Sequence, residues 1–84
     1  MHYQILPANL SEPFQKAMQQ SGWTITKQDA GQAHIVGWGY FIEWKQAGNS
    51  VSLEYRDIQG RAEAQLAISP GAWPQIEALL KTLL

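Results

Sequence analysis

The chain has no cysteine, so neither a disulfide nor a thiolate metal site can brace it. Charge is scarce as well: charged residues are 15% of the 84, where an ordinary soluble domain carries about 25%. Six Lys and Arg against seven Asp and Glu leave a net charge of -1, which excludes a histone-like basic protein and an acidic tail. Histidine is confined to His2 and His34. Long apolar runs are missing too. The longest, Ala33 to Ile42, contains His34 and two glycines, and falls well short of the roughly 18 residues of a membrane-spanning helix. The start Met1-His2-Tyr3-Gln4 lacks the basic and then apolar regions of a secretory leader, so a cytoplasmic location is expected. What is there is apolar: 45% of the chain is hydrophobic, with four Trp. That excludes a disordered chain and is heavy for one small domain, which buries only about 60–65% of its unfolded surface. Ten Gln and ten Ala are spread along the chain without a repeat or low-complexity block.

Hydrophobic periodicity divides the sequence into elements. Residues 1–6 read as a short strand with Tyr3 and Ile5 on one face, ended by Pro7. A helix is predicted from Ser11 to Ser21, with Ser11 as N-cap, Pro13 in the first turn and Phe14, Ala17 and Met18 as its apolar stripe. Gly22 is placed to close it in a left-handed conformation. Four strands follow, near Trp23–Gln28, Ala33–Gln46, Val51–Ile58 and Ala62–Ser69. The turn signals between them, Asp29-Ala30-Gly31-Gln32, Ala47-Gly48-Asn49-Ser50 and Gln59-Gly60, are too short for parallel crossovers, so the strands form an antiparallel meander. Trp23 and Ile25 share a face of the first. In the second, Val36, Trp38, Tyr40, Ile42 and Trp44 alternate with Ile35, Gly37, Gly39, Phe41, Glu43 and Lys45. Such alternation argues for a sheet covered on one side only. Ser69-Pro70 reads as a cap and first-position proline, with Pro70–Trp73 a tight turn and the regular helix starting near Pro74. Trp73, Ile76, Leu79, Leu80 and Leu83 form its buried stripe. The expected fold is therefore a two-layer α+β domain over residues 1–84. It has an N-terminal helix, a four-stranded antiparallel meander and a C-terminal helix, with both helices on one face of the sheet.

Catalytic chemistry finds little support in these residues. His2 falls at a terminus expected to fray, and His34 opens a strand beside a turn; neither has a second ligand at helical spacing. Ser11 and Ser69 read as caps, and no Gly-x-Ser-x-Gly turn is present. Glu43, Glu54 and Glu63 share the expected open face, and with Lys45 and Arg56 between them they read as a solvated, sign-alternating surface in preference to an acid–base cluster. Gly37-Trp38-Gly39 superficially resembles a phosphate loop, but no helix follows it and it lies within a strand, so a bulge or bend is expected there. No catalytic residue, metal site or cofactor is assigned.

At Leu66-Ala67-Ile68-Ser69-Pro70-Gly71-Ala72-Trp73-Pro74-Gln75-Ile76 a last strand runs into a polar-Pro-x-x-Trp helix start. This stretch resembles the C-terminal part of the positive cofactor four family, small dimeric coactivators built from a four-stranded meander and a helix that bind single-stranded DNA. The resemblance implies that Ser69, Pro70, Trp73 and Ile76 are structural positions of the helix start. It also implies that DNA would be met by basic and aromatic residues of the sheet.

The residues favour a small non-enzymatic binding module, of regulatory, inhibitor or immunity type, acting through protein–protein contacts and forming a homodimer. The second strand, about 12–14 residues or roughly 40 Å long, would overhang its neighbours and invite a partner strand. The partner-binding candidates are Ile35, Gly37, Gly39 and Phe41 together with Glu43, Lys45, Glu54 and Arg56. The alternative is a single-stranded nucleic-acid-binding protein using Lys27, Trp44, Lys45, Tyr55, Arg56 and Arg61, although its sparse positive charge weighs against strong binding.

Overall fold

A computed structural model describes residues 1–29, 37–58 and 61–84, the side chains at 37, 38 and 58 excepted. His34 and the candidate Ile35 lie outside the described residues. Strand β1 (His2–Leu6) leads through a 3-10 turn (Ala8–Leu10) into α1 (Ser11–Gln20). Strands β2 (Thr24–Asp29), β3 (Gly37–Gln46), β4 (Asn49–Ile58) and β5 (Arg61–Ile68) follow, and a second 3-10 turn (Pro70–Ala72) opens α2 (Trp73–Leu83). The result is an α+β fold with one antiparallel sheet in the order β1-β5-β4-β3-β2.

The meander is as expected, but the sheet has five strands and not four. The N-terminal strand pairs with β5 from His2↔Ile68 to Leu6↔Ala64, and so precedes the first helix as a full member of the sheet. Nothing local to residues 1–6 specifies that partner, because the pairing spans almost the whole chain. With β1 in place, Leu6 joins Ile42, Trp44, Val51, Leu53, Ala64, Leu66 and Ile68 on one buried face. Phe14 and Met18 of α1 and Ile76 and Leu80 of α2 complete the same cluster. Phe14 meets the Trp44 ring edge-on at 5.7 Å, a geometry favoured by the quadrupoles of both rings.

The ends of the elements show how local chemistry was redirected. Gly22, with φ of 84°, closes α1 as expected. The Trp23 amide donates to the Met18 carbonyl (3.1 Å) and the Gly22 amide to that of Gln19 (3.2 Å), the paired bonds of a Schellman motif. Ser11 does not cap α1. It is the first helical residue, is buried, and its hydroxyl bonds the Tyr40 hydroxyl and the Gln15 amide. Ser69 flanks the second 3-10 turn without capping it through its side chain. Its hydroxyl accepts the Ser50 amide (3.0 Å) and donates to Asn49 Oδ1 (3.3 Å), which ties the end of β5 to the start of β4. His2 is no frayed residue either: it is half-buried in β1 and its ring stacks on Trp73, centroids 3.6 Å apart.

The expected bulge at Gly37–Gly39 does not occur, since β3 pairs with β4 without interruption from Gly37↔Ile58 to Gln46↔Asn49. Gly39 is there for space: a Cβ at this position would collide with the Tyr55 carbonyl oxygen. The register shift lies instead in β2, between Ile25 and Lys27; Ile25 keeps the face it was expected to share with Trp23, opposite Trp44, but is 49% exposed where Trp23 is buried. Over its described length β3 does not outrun β4, because the two strands match residue for residue; the remainder of the expected overhang falls outside the described residues. The hairpin between them turns on Ala47 and Gly48, at φ of 49° and 83°, the two left-handed residues of a type I′ turn.

Candidate functional site

The pairing registers lay out the sheet face opposite the core, because residues directly across an antiparallel pair point the same way. One row runs Tyr3, Ala67, Ser52, Glu43, Lys27 from β1 to β2, and the next runs Ile5, Gln65, Glu54, Phe41, Asp29. Beside them stand Lys45 with Thr24, and Glu63 with Arg56 and Gly39. Neither helix places a buried residue against this face. It is open.

Six of the partner-binding candidates named from sequence meet here: Gly39, Phe41, Glu43, Lys45, Glu54 and Arg56. Gly37 belongs to the same alternation at the far end of β3, opposite Ile58. The charges on the face cancel locally. Arg56 pairs with Glu54 two residues along its own strand (3.0 Å), although Glu63 is its cross-strand neighbour. Lys27 stands over the Phe41 ring, 5.7 Å from its centroid, within reach of a cation–π attraction. The Thr26 hydroxyl donates to Glu43 Oε1 at 2.9 Å, so the residue bulged out of β2 anchors a carboxylate of β3. In all, Lys27, Lys45, Arg56 and Arg61 face Asp29, Glu43, Glu54 and Glu63, a surface of no net charge. Exposed ion pairs of this kind contribute at most about 1 kcal/mol each; their effect is to remove any long-range field.

Of the residues proposed for nucleic acid, the basic ones share the open face and the aromatic ones do not. Lys27, Lys45 and Arg56 are on the open face, and Arg61 continues it opposite Ile58. Trp44 is on the other face and 1% exposed, so it has no ring surface to offer a base. Tyr55 is also on that side, half-buried and stacked on Tyr40 with centroids 5.0 Å apart. Ser69, Pro70, Trp73 and Ile76 form the junction into α2, where Ile76 is fully buried and Trp73 packs on His2.

Sequence reasoning missed the margin of the face. Tyr3 and Ile5 are 63% and 66% exposed, and they extend the open surface at the end where its charges stop. Their period-2 alternation was visible; that β1 would dock on β5 was not. Among the described residues, two clefts on the helix side stand out. One, of about 540 Å³, runs between α1 and β2 and has Trp23, Ile25 and Trp44 as its apolar wall and Glu12, Gln15, Lys16 and Gln19 opposite. The other, of about 460 Å³, lies where Ser11, Glu12 and Pro13 approach Tyr40 and Tyr55. Among the described residues, no group of three or more His, Asp or Glu could hold a metal ion, and no helix is long and apolar enough to cross a membrane.

Comparison of the chain with protein-family models, with curated proteins and with solved structures finds no match. What defines it is its own architecture, a small antiparallel α+β domain with one bare sheet face.

Proposed function

We propose that this chain is a small non-enzymatic module that acts through protein–protein contacts, and that the contact it makes is with a second copy of itself, at the apolar margin of its open sheet face. The observation that carries this reading is the open face: a five-stranded sheet packed on one side only, whose exposed side combines balanced charge with the apolar margin of Tyr3 and Ile5. Balanced charge lets two copies approach without repulsion, whereas binding to nucleic acid draws on a positive stripe. A regulatory, inhibitor or immunity-type role suits a domain that works through such a surface.

The test is the mass in solution over a hundredfold range of concentration, by light scattering or sedimentation. A species of twice the 9.4 kDa chain mass is expected to grow in with concentration. A strictly monomeric protein at several hundred micromolar overturns the reading. A parallel titration with labelled single-stranded oligonucleotides at low salt is expected to leave the Trp fluorescence unchanged, and salt-sensitive quenching would establish the nucleic-acid alternative instead.

A further inference from the structure

The two edges of the sheet are built differently. Strand β2 carries protections against edge-to-edge pairing: Lys27 and Asp29 within it and a register shift after Ile25 that breaks its regular ladder. Strand β1, His-Tyr-Gln-Ile-Leu, has no Asp, Glu, Lys, Arg or Pro within it, and its five residues pair with β5 in unbroken register. It is also where exposed apolar surface collects. Of the large hydrophobic side chains exposed among the described residues, Tyr3 and Ile5 belong to β1 and Met1 precedes it, while Ile25 and Leu84 stand elsewhere. An uncharged, regular edge strand with apolar residues on its exposed face is a template for one more strand.

We infer that β1 is the seat of self-association, pairing antiparallel with β1 of a second copy about a two-fold axis beside Gln4. The sequence of the strand is self-complementary in that register. Gln4 faces the partner's Gln4, Tyr3 faces the partner's Ile5, and His2 faces the partner's Leu6, so every residue of the strand finds a counterpart. Directly opposed residues share a face. Tyr3 and Ile5 of each copy therefore form one apolar block of four side chains on the open side, an aromatic packed beside a β-branched residue twice over, among the more favourable cross-strand pairs. On the core side the opposed residues are His2, Gln4 and Leu6, and no like charges meet. The five-stranded sheets become one ten-stranded sheet with a continuous open face. A register centred elsewhere leaves residues of this five-residue strand unpaired and sets Tyr3 and Ile5 against different neighbours. This inference rests on the self-association reading and adds the strand and the register to it.

Because the chain has no cysteine, single introduced thiols report the register directly. Opposed side chains have Cβ atoms about 4.5–5.5 Å apart and diagonal ones about 7–8 Å, and disulfides close only across the shorter range. The variants are Tyr3→Cys, Gln4→Cys, Ile5→Cys and Phe41→Cys, the last on the same face but three strands inward, each oxidised with a mild glutathione couple. Gln4→Cys is expected to cross-link to itself. Tyr3→Cys and Ile5→Cys are expected to cross-link when mixed, at least tenfold faster than either alone, and Phe41→Cys is expected to remain reduced. Cross-linking of Phe41→Cys, or failure of both Gln4→Cys and the mixed pair in a protein that light scattering shows to be dimeric, overturns the β1 pairing and leaves self-association standing. A protein monomeric by light scattering overturns both. Circular dichroism of each variant separates misfolding from failed pairing, and Ile5→Lys, which adds a charge on the exposed side only, is expected to give a folded monomer. A folded Ile5→Lys dimer refutes the inference.

Discussion

Ala47 is held at φ of 49°, where an L-residue other than Gly, Asn or Asp costs roughly 1–2 kcal/mol because its Cβ crowds the backbone carbonyl. It is the first of the two left-handed residues of the β3–β4 turn, and a glycine already occupies the second. Asn-Gly is the preferred pair for this turn type. Ala47→Asn should therefore recover about half of the penalty, or about 0.5–1 kcal/mol. At 4–8 °C per kcal/mol for a domain of this size, that raises Tm by about 2–8 °C. Ala47→Gly removes the whole steric term but adds about 0.5–1 kcal/mol of unfolded-chain freedom, so its gain is no larger than that of Asn. Ala47→Val, β-branched at a left-handed position, should fall below the parent by about 1 kcal/mol. Urea titration followed by Trp fluorescence, with thermal circular dichroism alongside, gives all four values. The expected order is Asn at or above Gly, then Ala, then Val. An Asn variant no more stable than the parent refutes the reasoning. The turn also matters for the candidate surface. It sets Gln46↔Asn49 and through that pair the whole β3–β4 ladder, and a slip of one residue would turn Phe41, Glu43 and Lys45 toward the core.

Three further substitutions test the account of the same hairpin and of α1. Gly39→Ala drives a methyl group into the Tyr55 carbonyl and should cost about 1–3 kcal/mol through forced backbone movement, read as a lower urea midpoint; an unchanged midpoint would show that β3 and β4 can separate freely at this point. Ser11→Ala and Tyr40→Phe, made singly and together, should show a coupling of about 0.5–1.5 kcal/mol in a double-mutant cycle, whereas purely additive losses would return Ser11 to the role of a helix cap.

The signals that proved readable in the sequence act over a few residues. Gly22 had to be left-handed because a helix stripe stopped before it, and Pro70 and Pro74 bracket a turn in which their missing amides cost nothing. The alternation of Val51 and Leu53 with Ser52 and Glu54 is legible without any partner, and Val51 and Leu53 are the buried side of β4. What misled were residues with two satisfactory uses. A serine before a helix is a good cap, but Ser11 sits one position inside α1 and within reach of the Tyr40 hydroxyl, and Ser69 within reach of Asn49 and the Ser50 amide. Tertiary partners won both. Trp44 and Tyr55 are aromatic and close in sequence to Lys45 and Arg56, yet period 2 sends each pair to opposite faces. Trp44 was therefore readable as core, and its place in a base-stacking platform was already in tension with its own alternation. The register shift was assigned to the glycines when it belongs to β2, where Thr26 turns to Glu43; nothing in Thr-Ile-Thr-Lys marks it.

The low charge of the chain acquires a structural meaning once it is mapped. Eight of the charged residues, Lys27, Asp29, Glu43, Lys45, Glu54, Arg56, Arg61 and Glu63, lie on one sheet face, so the few charges available are concentrated where no helix packs. They reach from β2 to β5 and stop at β1. A sheet face that must stay in water over its whole width would carry its polar residues to the last strand, as β2 does at the opposite margin with Lys27 and Asp29. Here the last strand alternates Tyr3 and Ile5 outward with Leu6 inward, and so spends apolar residues on both faces. On the inner face that completes a core which four strands and two helices leave open beside β5. On the outer face it has no such use within one chain. The inner alternation explains why β1 is in the sheet; the outer one is explained by a second copy of β1.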